Sequence, residues 1–437
     1  MRQLSLNHTS SNLFEEIISE RQLKRAFKLV KANGGKAGID GVEIATFESR
    51  LNEEISSLSK ELKDWGYKPK PVKRVEIPKP GKTEKRKLGI PCVRDRVVQA
   101  SIKISIEPLF DEEFSENSYG FRPGRNQKQA ITRAKQYVQE GKEWIVDIDL
   151  EKFFDRINQD RLMYLLAKRV QDKRVVRLVG MTLRSGVLHG DKYEPSREGS
   201  TQGSPLSPLL SNIVLDELDK ELEKRGLAFC RYADDANIFV GTQKAAERVL
   251  RSITHFIENR LKLKVNQTKS KAAIASAVKF LGTTIVCGMI MISAVTMKRA
   301  HAKARELIPR RTHLPIEQQI EKVNRWYRGW SSYYNVTEIP AQLRTIESRL
   351  RRRFRAQFVN NHKRAKRFLV RTLVKMGIPK STACNSVYTN RKTWALSHSS
   401  AVDRAWNKDW FRRQGFYIAS NQQLPHWQPL TVWIKLT

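Results

Sequence analysis

Residues 229–240 read Phe-Cys-Arg-Tyr-Ala-Asp-Asp-Ala-Asn-Ile-Phe-Val, which places two short β-type runs on either side of Ala233, Asp234 and Asp235. Two such runs separated by a short polar turn are typical of a β-hairpin. Aspartate is favoured in turns because its side chain bonds the nearby backbone, so an ordinary turn is one interpretation of the pair. A ligand-binding tip is the other, and the rest of the chain has to decide between them.

A second acidic element, Asp147-Ile148-Asp149, lies about 85 residues earlier, in an alternating stretch that predicts a strand over residues 144–150. Converging carboxylates repel one another unless cations neutralise them. Two magnesium ions about 4 Å apart would do so, and they could activate a hydroxyl nucleophile while stabilising a pyrophosphate leaving group. The pattern therefore indicates nucleotidyl transfer. Asp147 and Asp149 share a strand face, about 6.6 Å apart, so spacing leaves both open as the third ligand.

The charge of the chain indicates a polyanionic partner. Its 437 residues include 81 Lys+Arg against 45 Asp+Glu, a net charge of +36, which is costly in self-repulsion unless phosphates neutralise it. Residues 291–437 contain 29 Lys+Arg and 7 Asp+Glu, or 29 − 7 = +22, against +14 for the first 290 residues. We therefore expect the C-terminal third to provide the main grip on nucleic acid, although a merely solvated basic surface is the alternative.

The remaining composition narrows the class of protein. Four cysteines are scattered without a C-x-x-C pair, which argues against a zinc site. No charged-then-apolar leader and no apolar run near twenty residues occur, so we expect a cytoplasmic protein that does not enter a membrane. Helical and strand-like segments alternate up to about residue 295, and long basic helices with aromatic residues follow. These patterns predict an α+β fold with a domain boundary near residue 295.

The order of motifs resembles the group II intron reverse transcriptases over nearly the whole chain. Residues 149–155, Asp-Leu-Glu-Lys-Phe-Phe-Asp, match the family pattern D-x-x-x-F-F-D, whose first aspartate binds metal. Residues 232–235 match its Y-A-D-D hairpin, which supplies the other two ligands. The resemblance thus implies that Asp149, Asp234 and Asp235 are the catalytic residues and that they hold two Mg²⁺ ions.

The same resemblance implies a nucleotide-binding set for the incoming dNTP. Gln202, in a segment similar to Q-G-x-x-x-S-P-L-L, would line the nucleotide, and Lys79 and Arg86 in a basic hairpin would clamp the triphosphate. Lys269 lies in a late palm motif, and Phe154 lies where related enzymes place a steric gate against the ribose 2′-hydroxyl. The structural alternatives are a plain loop for Gln202, a solvated hairpin for the two cations, and a core position for Phe154.

Template and primer contacts are implied for four residues outside that set. Residues 118–125, Ser-Tyr-Gly-Phe-Arg-Pro-Gly-Arg, reproduce a family run that contains Arg122 and Arg125. Tyr232 opens the Y-A-D-D motif, and Gly282 lies in a segment similar to the primer-side hairpin. These residues are predicted to contact the RNA template or the DNA primer.

The C-terminal part resembles the maturase thumb and a small DNA-binding region. Residues 326–334 are similar to the element R-G-W-x-x-Y-Y, although we expect most of its aromatics to be packing core. Arg328, Arg351, Arg352 and Arg353 are predicted to bind RNA or DNA. No H-N-H endonuclease pattern follows, as in the compact bacterial subclass that lacks this domain.

The resemblance implies a right-hand polymerase. We expect the N-terminal extension and fingers at 1–140, the palm with part of the fingers at 141–295, the helical thumb or maturase domain at 296–375, and the C-terminal DNA-binding region at 376–437. The expected function is RNA-directed DNA synthesis together with binding of group II intron RNA for splicing and mobility into target DNA. Two alternatives stay open. One is a domesticated CRISPR-associated or defence reverse transcriptase, and the other is a splicing maturase that does not need its polymerase activity.

Overall fold

The computed structural model describes residues 12–78, 85–362, 365–390 and 392–421. The chain divides into two compact units that meet between Val278 and Lys279, earlier than the boundary expected near residue 295. The reason is a β-hairpin at 283–292 that bonds within the second unit. The backbone N–H groups of Ile290 and Ile292 donate to Glu338 and Gln342, each at 2.8 Å. No helix in the described part of the chain is long and apolar enough to cross a membrane.

The first unit mixes helices and strands. Its helices are α1 (Leu13–Ile18), α2 (Glu20–Asn33), α3 (Ile44–Ser49), α4 (Leu51–Lys63), α5 (Val93–Asp111), α6 (Gln127–Gln139), α7 (Phe153–Arg156), α8 (Gln159–Arg169), α9 (Lys173–Leu183), α10 (Ser207–Lys224) and α11 (Gln243–Asn259). Its strands are β1 (Val72–Pro78), β2 (Lys85–Ile90), β3 (Trp144–Ile148), β4 (Val187–His189), β5 (Lys192–Glu194), β6 (Ala228–Tyr232), β7 (Asp235–Val240) and β8 (Lys271–Ile274).

Short polar side chains separate helix α1 from α2 and helix α8 from α9. Ser19 ends α1 and caps α2 by accepting a hydrogen bond from the backbone N–H of Gln22. Asp172 separates α8 from α9 and accepts from the backbone N–H groups of Arg174 and Phe14. Such side chains satisfy backbone donors that a helix start leaves unpaired, so a cap can interrupt an otherwise helical apolar pattern.

The central sheet has the strand order β6-β7-β3-β8, and every neighbouring pair is antiparallel. Strand β3 pairs with β7 so that Ile148 lies opposite Ala236. Helix α11 packs on β3, β7 and β8, while α6 and α10 contact β6, so helices cover the sheet and its apolar residues enter the core. The predicted hairpin and the predicted facing strand are therefore neighbours in one sheet.

A second sheet in the same unit has the order β2-β1-β4-β5. Strands β1 and β2 form the basic hairpin that the sequence predicts, with Ile77 opposite Arg86, and β4 adds to β1 in parallel. The tip of this hairpin, including Lys79, lies outside the described residues.

The second unit is mainly helical and has a core of its own. Its elements are β9 (Thr283–Val286), β10 (Met289–Ile292), α12 (Ala294–Leu307), α13 (Ile316–Tyr334), α14 (Pro340–Asn361), α15 (Lys366–Lys375), α16 (Lys380–Thr389), α17 (Thr393–Leu396), α18 (Ser400–Ala405) and α19 (Lys408–Arg413). Tyr327 is fully buried, and its hydroxyl donates to the buried Glu347 at 2.9 Å. Trp326 and Trp330 pack against the same core, so the aromatics of 326–334 are largely structural, as expected.

Candidate active site and nucleic-acid interface

An open cavity of about 1520 Å³ lies in the first unit. The three predicted catalytic carboxylates line it. Asp149 follows the end of β3, Asp234 lies in the turn between β6 and β7, and Asp235 is the first residue of β7. Asp147 does not line the cavity, because it lies within the sheet, opposite Asn237 on one side and Lys271 on the other. The geometry therefore favours Asp149 over Asp147 as the third acidic residue of this cavity.

Asp149 is tied to the segment that precedes β8. Its backbone N–H donates to Ser270 Oγ at 3.0 Å, and its carbonyl accepts from the backbone N–H of Asn266 at 2.8 Å. The ammonium of Lys269 donates to both Asp149 carboxylate oxygens, at 2.9 and 3.1 Å. Lys269, predicted to bind the nucleotide, thus forms an ion pair with a predicted metal ligand.

The surroundings of Asp234 raise the pKa of its carboxyl group. Burial raises the pKa of its carboxyl group, the negative charge of Asp149 raises it further, and Arg86 and Arg231 oppose both effects. Across the described residues, no group of three or more His, Cys, Asp or Glu side chains is arranged to hold a metal ion. A metal ion at Asp149 would compete with the Lys269 ammonium, which donates to both carboxylate oxygens.

The carboxylates nevertheless fit divalent cations by donor chemistry. All three offer oxygen atoms, which magnesium prefers, and they line a cavity open to phosphate-bearing substrates. A cation held by these carboxylates would offset the charge of Asp149, which adds to burial in raising the pKa of Asp234.

Two further predicted residues, Arg86 and Gln202, line the cavity from the side of the β1–β2 hairpin. The Gln202 carbonyl accepts from the backbone N–H of Gly89 in β2 at 2.8 Å. Gly203 has φ +115°, and a Cβ there would lie 2.6 Å from the Gly89 carbonyl oxygen. The Gln-Gly sequence is thus explained by a loop that lies directly against β2, with Gln202 at the cavity wall.

Phe153 and Phe154 have different environments. Phe153 is 2% exposed and belongs to the core, whereas Phe154 is only partly buried at the cavity wall. Lys152, immediately before them, has φ +50°, in the left-handed region that non-glycine residues rarely adopt. Both residues line the cavity, and Phe154 is the more accessible of the two.

The structure does not favour Arg122 as a template ligand. Its guanidinium is buried and donates to the Asp111 carboxylate and to the carbonyl oxygens of Ser115 and Ser118. Arg125 pairs with the exposed Glu116 and remains partly accessible. The sequence could not show which of the two arginines is accessible, because both lie in the same turn-forming segment.

Tyr232 is partly buried at the end of β6, where it pairs with Asp235, and it does not line the cavity. Gly282, in the second unit, has φ +83°, and a Cβ there would lie 2.4 Å from the hydroxyl of Tyr334. Close packing accounts for this glycine without a primer.

Sequence reasoning missed a buried ion pair beneath the acidic hairpin. Arg231 and Asp219 are both fully buried, and the guanidinium donates to the two carboxylate oxygens at 2.7 and 2.6 Å. An arginine next to Tyr-Ala-Asp-Asp, in a strand that is otherwise apolar, was the available signal. A buried charge requires a partner, and α10 carries several acids.

The predicted thumb arginines have four different environments in the second unit. Arg351 has its guanidinium largely buried, near Glu347 and Tyr327. Arg353 donates to the carbonyl of Ile308 at 2.9 Å. Arg328 lies over the ring of Tyr417, 5.3 Å from its centroid, and Arg352 lies 4.2 Å from the centroid of Trp394.

Arg352 belongs to a positive cluster that we call the Trp394 cluster, made of His301, Arg305, Arg349, Arg352 and Trp394. The Arg349 and Arg352 guanidiniums lie 4.7 and 4.2 Å from the Trp394 ring centroid. Burial and the charges of Arg349 and Arg305 lower the pKa of His301. In the described part of the chain, no carboxylate forms an ion pair with these arginines. Such uncompensated charge fits a polyanion.

Two family models and several known proteins match this chain. Residues 77–285 match the family "Reverse transcriptase (RNA-dependent DNA polymerase)", and residues 297–374 match "Group II intron, maturase-specific domain". The protein YkfC of Escherichia coli is 33% identical over 272 residues, which cover 54% of this chain and 71% of YkfC. The group II intron-encoded protein LtrA of Lactococcus lactis is 33% identical over 206 residues, 47% of this chain but only 34% of LtrA.

Among solved structures, a chain of the "Partial Cas6-RT-Cas1--Cas2 complex" overlaps with a TM-score of 0.37 and 26% identity, over 56% of this chain and 42% of that one. An overlap this loose supports no functional argument.

Proposed function

The chain belongs to the reverse transcriptases that carry a group II intron maturase-specific domain, and from that premise we propose that it copies RNA into DNA in the cavity bounded by Asp149, Asp234 and Asp235. The observation that carries the proposal is that one cavity collects these three carboxylates together with Arg86, Phe154, Gln202 and Lys269, from segments far apart in the chain. Its substrates are an RNA template, a DNA primer and dNTPs.

Reverse transcriptases generally use divalent metal ions. We assign two Mg²⁺ ions to Asp149, Asp234 and Asp235, because carboxylate oxygens beside substrate phosphates are the ligands that magnesium prefers. When bound, such ions would activate the primer 3′-hydroxyl as nucleophile and stabilise the leaving pyrophosphate. The hairpin of β6 and β7 and the end of β3 hold the three carboxylates toward the cavity, and Lys269 balances the charge of Asp149 before substrate enters.

The nucleotide lies between the carboxylates and the β1–β2 hairpin. Arg86 offers a planar guanidinium that suits two phosphate oxygens, and Gln202 bounds the nucleotide from the loop that packs on β2. Phe154 occupies the wall where a ribose 2′-hydroxyl would collide with its ring. Lys79, outside the described residues, keeps its assignment to the triphosphate from the sequence resemblance alone.

Primer extension on an RNA template tests both the activity and the gate. The parent protein should extend a DNA primer with dNTPs, and chelation by EDTA should stop synthesis. Phe154→Ala should lower the preference for dNTP over rNTP by roughly 10- to 100-fold, since it removes one shape contact. Phe110→Leu is the matched control, because Phe110 is a buried core residue of α5 that does not line the cavity, so the preference should stay unchanged. A parent without extension in magnesium would refute the activity, and an unchanged preference in Phe154→Ala would refute the gate.

A second role, binding of group II intron RNA to assist splicing and mobility into DNA, is favoured by the maturase-specific match and by the Trp394 cluster. Phosphate groups would neutralise the arginines that have no acidic partner, and the face of Trp394 is already used by Arg349 and Arg352. We therefore assign RNA binding by the second unit to this cluster and to Arg328. We do not assign it to Arg351, which is buried near Glu347, or to Arg353, whose guanidinium donates to the Ile308 carbonyl.

Salt dependence of RNA binding tests that assignment. Arg349→Gln/Arg352→Gln should reduce the steepness of log affinity against log salt by about one to two, because roughly one counterion is released per neutralised phosphate. Arg325→Gln/Arg412→Gln is the matched control, since Arg325 pairs with Glu321 and Arg412 with Asp409. Equal slopes for the two double variants in a filter-binding titration would contradict the assignment.

The domesticated alternative shares the same chemistry with another RNA. Intron secondary structure flanking the reading frame would support an intron-encoded protein, and its absence would favour a CRISPR-associated or defence enzyme. A splicing maturase that does not need polymerase activity would be identified if a carboxylate variant retained splicing assistance in full.

A further inference from the structure

The hairpin that carries Asp234 and Asp235 is stabilised by the side chain of Arg231, a buried residue of its strand β6. Besides its ion pair with Asp219, the guanidinium donates to the Ala233 carbonyl at 2.9 Å, to Ser118 Oγ at 2.8 Å and to Asn212 Oδ1 at 3.0 Å. One side chain thus connects the hairpin turn to helix α10 and to the loop that begins at Ser118.

That loop also touches the hairpin directly, through Gly120. A Cβ at this position would lie 2.2 Å from the backbone nitrogen of Ala233 and 2.8 Å from the carbonyl carbon of Tyr232. Gly120 does not have a left-handed φ, so its own backbone conformation does not require glycine. The close approach of the hairpin is therefore what requires glycine here.

The loop is itself fixed on both sides of Gly120. The Gly120 carbonyl accepts from Asn212 Nδ2 at 2.9 Å, and the backbone N–H of Tyr119 donates to the Arg231 carbonyl at 2.9 Å. On the far side, Arg122 is held by Asp111 and by backbone carbonyls. The contact with the hairpin is consequently between two rigid parts, and a bulkier residue cannot be absorbed by loop movement.

We propose that Gly120 and Arg231 are positioning residues that set where the hairpin presents Asp234 and Asp235 to the cavity, and that the loop containing Gly120 acts as its backstop. The inference rests on the proposed polymerase function. Neither residue lines the cavity, so each acts through the two carboxylates. Ala233 has a strained backbone conformation with φ +57°, and the contacts of Gly120 and Arg231 hold it in that conformation.

Gly120→Ala tests the backstop, and Gly124→Ala is its matched control. Gly124 lies in the same loop with φ +69° and has nothing within 4 Å of an added Cβ, so its substitution strains the backbone without touching the hairpin. We expect Gly120→Ala to lower kcat for dNTP addition by about 100-fold with KM for dNTP and primer-template within about twofold, since displacements near 1 Å at a reacting centre have effects of that size. Gly124→Ala should keep kcat while losing some thermal stability.

Hydrogen–deuterium exchange supplies a readout that does not depend on activity. Gly120→Ala should increase exchange at residues 232–236, and Gly124→Ala should not. Equal kcat and equal exchange at the hairpin for parent and Gly120→Ala would overturn the inference. A parent protein that shows no synthesis would instead count against the proposed function, because the exchange comparison still reports on the hairpin.

If Gly120→Ala does not fold, a milder pair of variants tests the same inference. Ser118→Ala removes one hydrogen bond to the Arg231 guanidinium without adding bulk. Ser211→Ala, at a fully buried serine of α10 whose hydroxyl donates to the Pro208 carbonyl, is its control. We expect a several-fold fall in kcat with unchanged KM, together with faster exchange at the hairpin, for Ser118→Ala alone. Identical behaviour of the two serine variants would overturn the inference.

Discussion

Asp234→Asn is expected to lower primer extension on RNA by at least about 10³-fold while leaving RNA binding intact. Loss of one charge-stabilising group in a preorganised site has effects of 10² to 10³, and a metal ligand should exceed that range. Asp160→Asn is the matched control, because Asp160 is an exposed carboxylate that lines the same cavity. Extension by Asp234→Asn within tenfold of the parent would exclude Asp234 as a metal ligand.

The same variant should stabilise the metal-free protein at neutral pH. The pKa of Asp234 is raised by burial and by Asp149, so the folded state holds its proton more tightly than the unfolded state does. An acid with a raised pKa favours folding below that pKa, and this contribution is lost as the pH rises through it. Removing the carboxylate removes that loss. Thermal unfolding in EDTA should therefore give Asp234→Asn the higher Tm near pH 7.5, with the difference shrinking as the pH falls.

Breaking the Arg231–Asp219 pair from one side should destabilise the first unit by about 3–5 kcal/mol, because it leaves a buried charge without a partner. Asp219→Asn and Arg231→Met are the single variants. Urea unfolding measures the free energy of unfolding, and the exposed pair Lys24–Glu20 of the same unit supplies a control, since Lys24→Met should change it by less than about 1 kcal/mol.

Removing both partners separates stability from positioning. The double variant Arg231→Met/Asp219→Leu should recover a large part of the lost stability, since apolar replacement of a buried ion pair is often neutral. It should not recover kcat, because Met cannot donate to the Ala233 carbonyl that the guanidinium holds. Single variants that lose less than about 1 kcal/mol would show that the pair is not the support that the geometry indicates.

The run Arg351-Arg352-Arg353 shows the limit of sequence reasoning about a site. All three were predicted to hold nucleic acid, yet they follow one another on α14, where successive side chains point about 100° apart. One guanidinium is therefore largely buried, one lies on Trp394, and one bonds the end of α12. Composition reports the charge of such a run, whereas its orientation depends on the helices packed around it.

Arg122 illustrates the same point in the first unit. Its motif predicted a template contact, but every described hydrogen bond of its guanidinium serves the loop and Asp111. By contrast, Gly120 of the same motif packs directly against the backbone of the acidic hairpin. Motif similarity identifies which segments meet, but it does not say which side chain of a segment faces the ligand.

The sequence by itself determined the mixed helix and strand composition, the acidic hairpin with its facing strand, the basic β1–β2 hairpin and the family, because these depend on local periodicity, turn chemistry and motif order. The resemblance had already favoured Asp149 over Asp147. Only the tertiary structure brought Asp149 to the cavity wall, placed the unit boundary at Val278, and revealed the buried pair of Arg231 and Asp219. Those outcomes depend on which residues from distant segments become neighbours when the core is packed. A linear pattern does not contain that information.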